Sequence, residues 1–421
     1  MFKFSLIGLA LVLCISTASA QVGSQYPYPS ADMATLTTVI MKSRSKDIFS
    51  NMKTMEVEAI AGRNQTFLFE GRGNFRFGFY PQKKAAPLVF LIADLGGSIV
   101  SGYMMYEADL LQEKGFNVIT VSSPFFWNFI ISSSQSGLPG VTDEDAQDMY
   151  AAMQLALAKV KAEHNKPITK IGIIGLGLGG LEAAHISAIE NRERKLNIER
   201  YLLINPVVNL MHAITEIETR AAISFDLGDS RVAEIKAKAF NFVADNVFDD
   251  KSNVLDAKYF LNLDKRFVLS TQEYKFLTGG ILRMPIDDTI FASQMVKDAG
   301  VLKSKLDRYH WGARHKEIEA LGFKGYLEKL VIPHFTLKYP KLIDLIKHVN
   351  FNFVRKDVLE NQNMFLMHNQ DDFLVDADQL VYLQDMFGSA RTKIYPSGGH
   401  LGNMWFEQHQ NDVLRIMSAL K

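Results

Sequence analysis

Residues 170–184 read KIGIIGLGLGGLEAA, an apolar run that passes through a glycine-rich turn into an Ala/Leu-rich stretch of helical character. Two readings of the turn compete. Gly175, Gly177 and Gly180 match G-x-G-x-x-G, whose backbone amides hold the pyrophosphate of a dinucleotide at a helix N-terminus. The same letters match G-x-S-x-G, the sharp strand-to-helix elbow that exposes a serine nucleophile, with Gly177 where the serine belongs.

Working outward, short apolar runs at 87–94, 117–123, 170–174, 201–208, 364–370 and 392–397 read as buried strands. Helical stretches near 103–114, 143–164, 178–191 and 376–387 lie between them, which predicts an α/β fold with a mostly parallel sheet covered on both faces. Ahead of this set, 54–60 and 66–81 read as strands, the second alternating and broken by a turn at Gly71–Asn74, and a helix is expected from Asp32. Residues 211–355 break the rhythm, because they read as consecutive helices with no buried strand. A helical insertion after the sixth strand predicts a lid over the carboxyl ends of the strands, where open α/β sheets bind ligands. The resulting division is a leader over 1–20, an amino-terminal core segment over 21–210, the lid over 211–355 and a carboxyl-terminal core segment over 356–421.

The order of these elements weighs against a dinucleotide. A ribose-binding turn wants an acid at the end of the following strand, but YLLINPVVN ends in Asn209, and the glycine turn follows the third buried strand of the alternating set rather than the first. Dinucleotide binding through 175–180 therefore stands as an alternative only, and no cofactor is expected.

The elbow reading accounts for more of the chain. PLVFLIADLGGS, GFNVITVSSPF, IGIIGLGLGGLEAA, MFLMHNQDDFLV and YPSGGHLG together resemble the α/β-hydrolase superfamily, in the style of its lid-bearing lipases and serine aminopeptidases, over roughly 85–210 and 360–421. Chain order there is nucleophile, acid, histidine; here it runs Gly177, Asp372, His400. The resemblance makes Asp372 the acid, with Asp371 as the alternative, and His400 the imidazole; Leu95 and Leu178 become the candidate oxyanion-hole amides. A serine hydroxyl needs a neighbouring imidazole to take its proton, and the imidazole needs a buried carboxylate to fix its tautomer.

Two departures argue against activity. Gly177 has no side chain to acylate, and Ala93-Asp94 replaces the histidine-glycine pair that the resemblance implies before the turn at Leu95-Gly96-Gly97-Ser98. An Asp94 carboxylate aimed inward would repel a developing oxyanion. Ser98, Ser101, Ser122, Ser123 and Ser132–Ser134 lack the spacing of a nucleophile turn and read as caps or loop residues. His310, His315 and His334 show neither the i,i+4 spacing of a zinc helix nor clustered carboxylates, so no metal is expected.

At the amino terminus, Lys3, an apolar run from Phe4 to Ile15 and Ala18-Ser19-Ala20 form a secretory signal peptide cut after Ala20, so the mature chain is expected to be periplasmic or secreted. Cys14 is the only cysteine, which leaves the mature chain without disulfides or a thiol nucleophile. Lys plus Arg equals Asp plus Glu at 46 each, and no basic stripe marks a nucleic-acid partner. No second apolar run reaches spanning length. The sequence thus leads to an exported, lidded pseudoenzyme that binds a small acyl- or ester-like ligand or a protein partner. The alternative is an ester or amide hydrolase that uses a relocated serine or a water activated by His400 and Asp372 in the space left at Gly177.

Overall fold

The computed structural model describes residues 26–44, 51–63, 68–247, 260, 263–304 and 311–421. The expected signal peptide at 1–20 and His310 lie outside them.

Eight strands form one sheet: β1 (Lys53–Val57), β2 (Phe75–Tyr80), β3 (Ala86–Ile92), β4 (Asn117–Val121), β5 (Ile168–Leu176), β6 (Ile198–Ile204), β7 (Met364–Asn369) and β8 (Thr392–Tyr395). They lie side by side in the order β1-β2-β4-β3-β5-β6-β7-β8. β1 with β2 and β2 with β4 pair antiparallel; every later pairing is parallel. The mostly parallel sheet expected from the apolar runs is present. The alternating stretch at 66–81 contributes only its second half to the sheet, because residues 68–74 form turns and bends.

Alternation along β3 shows how the sheet is covered. Leu88, Phe90 and Ile92 face one core with Met149 of α4 (Thr142–Glu163) and Leu181 and Ile186 of α5 (Leu178–Glu193). Val89, Leu91 and Ala93 face the other, with Met104 and Ala108 of α2 (Gly102–Glu113) and Val413 and Ile416 of the helix at Glu407–Met417. A strand with helices on both faces must be apolar at every position, and each residue of β3 is buried. The short helix α3 (Trp127–Ser132) closes one end of the first core, where Phe129 meets Phe75 edge to face at 6.1 Å.

Between β6 and β7 the described residues contain no strand. The insertion begins with α6 (Leu210–Ala222), capped by Asn209, and its longest element runs Thr271–Val296 behind a Ser270–Glu273 capping box. That long helix carries Pro285 and rests with it on Gly96, in the turn after β3. α1 (Ala31–Ile40) packs against the insertion, where Thr278 Oγ1 donates to the Asp32 carbonyl at 3.4 Å and Arg220 Nε of α6 is 3.3 Å from Asp32 Oδ1; the Arg220 guanidinium lies 3.8 Å over the Phe373 ring. No described helix is long and apolar enough to cross a membrane.

Candidate functional site

β5 ends at Leu176 and α5 begins at Leu178, so the change of direction falls on Gly177, at φ 54° and ψ −119°. A side chain in that region is strained by about 1–3 kcal/mol, whereas glycine adopts it freely. The Gly177 amide donates to the Ile204 carbonyl at 2.9 Å, and its own carbonyl accepts from the Gly180 amide at 2.9 Å, which anchors the turn to β6 and α5. The strand-turn-helix reading of 170–184 is thereby an elbow at the carboxyl edge of the sheet.

The space beside Gly177 is filled. Asp94 follows β3, and its Oδ1 accepts a hydrogen bond from the Leu178 amide at 2.8 Å while Oδ2 lies 3.0 Å from His400 Nε2. A Cβ built on Gly177 would stand 2.0 Å from Asp94 Oδ1 and 2.9 Å from His400 Nε2. This corrects the expectation of a vacated space for a water: the carboxylate occupies the volume of the missing side chain. It also answers which way Asp94 points. The carboxylate turns inward, where its charge meets His400 and a backbone amide.

On the far side of the ring, His400 Nδ1 is 2.8 Å from Asp372 Oδ2. The same Oδ2 accepts from Asn205 Nδ2 at 2.7 Å, and Oδ1 accepts from the Leu374 amide at 3.0 Å. Asp371 is held elsewhere, by the Gly398 and Gly399 amides at 3.2 and 2.8 Å. Of the two acids considered, Asp372 is the one brought to the histidine.

An ionised carboxylate only accepts hydrogen bonds, so a ring flanked by two of them donates from both nitrogens as the imidazolium. Burial opposes that charge, yet Asp372 and Asp94 outweigh it and raise the His400 pKa to about 10. Burial would also raise Asp372, but the His400 charge and its hydrogen bond, with help from Asn205, hold the carboxyl below its ordinary value. The cluster is thus carboxylate, imidazolium, carboxylate, with all three residues buried. An imidazolium committed to two carboxylates has no lone pair for a proton.

The amino-terminal helix locks this arrangement. The His400 amide donates to Thr35 Oγ1 at 2.8 Å, and Thr37 Oγ1 donates to the Gly402 carbonyl at 2.8 Å. Gly399, at φ 57°, lies so close to α1 that a Cβ there would meet the Ala31 carbonyl oxygen at 2.1 Å. Sequence reading found α1 and both glycines before His400 but not their contact. Asn205 was missed as well; it sits at φ 49° at the end of β6, a conformation that asparagine tolerates better than most residues.

The remaining candidates fall apart. Leu95 lines, with Asp94, Leu178, Leu210, Ile214 and others, an apolar space of about 20 Å³ beside the elbow. The Leu178 amide, the other oxyanion candidate and the start of the glycine-turn helix, already holds the Asp94 carboxylate, so an added phosphate would have to displace a buried anion. Ser98 and Ser101 bond to each other, with Oγ atoms 3.3 Å apart, and Ser132 donates to Asn128 at 2.6 Å. His315 stacks on Phe291 at 5.5 Å and His334 lies 2.8 Å from Lys297. Among the described residues no group of three or more His, Cys, Asp or Glu side chains could hold a metal ion.

The class is set by these features: a mostly parallel eight-stranded sheet, an elbow after β5, an acid after β7 and a histidine after β8 give the chain an α/β-hydrolase fold. No family model and no curated protein sequence matches it. Among solved structures it is similar to a serine hydrolase from the polyaromatic-hydrocarbon-degrading bacterium Cycloclasticus zankles, with 13% identity and a TM-score of 0.44 over 87% of this chain and 98% of that one. An esterase from Pyrococcus furiosus matches at 10% identity and 0.41, over 90% and 98%. Esterase B from Lactobacillus rhamnosis matches at 13% and 0.42, over 92% and 90%.

Proposed function

We propose that this is an exported pseudoenzyme that keeps the α/β-hydrolase scaffold and has exchanged its catalytic centre for a closed ion cluster, leaving it to bind a small acyl- or ester-like ligand or a protein partner. The observation that carries the reading is the seat of Asp94. Its carboxylate fills the place of an elbow side chain, occupies the Leu178 amide that an oxyanion would need and keeps His400 protonated. Each of those removes one requirement of acyl transfer: a nucleophile, a donor for the tetrahedral oxygen and a general base. The inserted helices act as a lid over this closed centre. Export rests on the basic, apolar and small-residue pattern of residues 1–20, and the mature chain then begins at Gln21.

The purified protein is expected to remain unlabelled by a fluorophosphonate probe and to leave p-nitrophenyl butyrate at its background rate from pH 6 to pH 9. Stoichiometric labelling of a serine identified by peptide mapping would overturn the non-hydrolytic reading. Fractionation tests export and amino-terminal sequencing tests the cleavage; a chain found only in the cytoplasm would overturn export, and an exported chain with Met1 intact would overturn cleavage after Ala20.

A further inference from the structure

A larger free volume lies beside the space at the elbow. An apolar cavity of about 470 Å³ opens among α6, the end of the helix at Trp311–Tyr326 with the π-helical turn at Leu327–Val331 that continues it, and the helix at Leu342–Lys347. That size falls within the range of small-molecule sites. Leu210 and Ile214 line both this cavity and the 20 Å³ space before Asp94, so they form the partition between them. A molecule in the large cavity is screened from His400.

The cavity has a polarity gradient. Val141, Leu210, Ile214, Val331, Leu345 and Val349 are buried and make an entirely aliphatic depth. The polar lining residues gather at the solvent side: Thr215 and Thr219 are exposed, and Lys324 and Glu328 keep 81% and 57% of their side chains accessible. Lys324 and Glu328 face each other at 3.9 Å, and Glu218 is answered by Arg283 at 3.3 Å. The rim therefore offers donors and acceptors with no net charge. A carboxylate head would find each cation of the rim already facing an acid, whereas a hydroxylated neutral head can donate to Glu328 and accept from Lys324.

We infer that this lid cavity is a binding site for a single-chain lipid with an uncharged, hydroxyl-bearing head, its aliphatic chain among Val141, Ile214 and Val331 and its head between Lys324 and Glu328. This names a ligand class for the binding role proposed above and rests on that reading for the ligand being held rather than cleaved. The π-helical turn supplies part of the wall; such turns recur at functional positions because they push side chains out of helical register.

The test uses ether-linked glycerol lipids, which no esterase can cleave, so binding is read apart from hydrolysis. Calorimetry of the full chain with 1-O-octyl-, 1-O-decyl- and 1-O-dodecylglycerol is expected to give one site whose affinity rises up to about fourfold per methylene. Dodecanoate should bind at least fivefold more weakly than dodecylglycerol. Thr215→Trp, at the exposed rim, and Val331→Phe, in the depth, should each weaken dodecylglycerol tenfold or more. Glu328→Lys removes the acceptor for the head hydroxyl and adds a cation, so it should weaken dodecylglycerol severalfold and tighten dodecanoate, reversing their order. Absence of saturable binding, or binding indifferent to both cavity variants in proteins with native circular dichroism, overturns the site. Dodecanoate binding as tightly as dodecylglycerol overturns the neutral head. Turnover of dodecanoyl esters with ether-lipid binding intact would instead overturn the non-hydrolytic reading and leave the cavity standing.

Discussion

The elbow and the cavity among the inserted helices lie on either side of one aliphatic partition and are built in opposite ways. Around Gly177 the space is filled, charged and fixed: three buried ionisable side chains satisfy one another and a backbone amide, and α1 is packed against the loop that carries the histidine. Beyond Leu210 and Ile214 about 470 Å³ is open, aliphatic in depth and polar only at the rim. An enzyme of this fold needs its open volume next to the nucleophile. Here the open volume and the ionisable centre lie apart, the arrangement on which the proposed binding role rests.

The comparison breaks most decisively if the charged side is disturbed. His400→Ala removes the only cation between Asp94 and Asp372 and leaves two buried carboxylates facing each other. A loss of about 3–5 kcal/mol is expected from uncompensated buried charge, read as a fall in denaturant midpoint at pH 7. A loss below 1 kcal/mol would mean that the cluster is not the ion triplet described.

Gly177→Ser is next in size. Backbone strain and the contact with Asp94 should together cost at least about 2 kcal/mol, with no labelling by fluorophosphonate. Asp94→Ala/Gly177→Ser should recover part of that stability and gain labelling, because the carboxylate then no longer fills the serine's place. If the single variant is labelled as readily as the double, Asp94 does not close the site.

A smaller effect is expected at the support. Thr35→Ala deprives the buried His400 amide of its acceptor and should cost about 1–2 kcal/mol, whereas Thr35→Ser should retain most of the stability. Equal losses in the two variants would point to packing of the methyl group rather than to the hydrogen bond.

How much of this was legible in the sequence follows from the kind of interaction involved. β3 and β5 could be read because a strand covered on both faces must be apolar throughout, and the elbow because its glycines, strand and helix are contiguous. The insertion showed itself as helical periodicity without a buried strand. Asp372 and His400 followed from chain order once the fold was suspected. The inward turn of Asp94 could not be read, because it depends on the absence of a Cβ on Gly177, a residue that only the sheet brings near. The role of α1 was hidden for the same reason: amphipathic periodicity says that a helix covers something, and only the tertiary fold says that it covers the histidine loop. The cavity left no sequence signal, since unfilled volume among aliphatic side chains reads the same as filled volume.

Protonation of His400 holds the Asp94–His400–Asp372 cluster together and sets its dependence on pH. His400 is raised to about 10. Its contribution to stability is therefore complete below the ordinary imidazole value of about 6.5, declines as pH rises above that and is lost through about 10. Asp372 is depressed, so its contribution is complete above the ordinary carboxyl value of about 3.9 and is lost as pH falls through its lowered one. The most direct measurement is the side-chain nitrogen spectrum of ¹⁵N-labelled protein, with His400 assigned by its loss in His400→Gln. Two protonated ring nitrogens that persist from pH 6 to pH 9 are the result expected of an imidazolium held between Asp94 and Asp372. A His400 ring that titrates near 6.5 to a single neutral tautomer would contradict the closed ion cluster and return the site to a general base with its lone pair free.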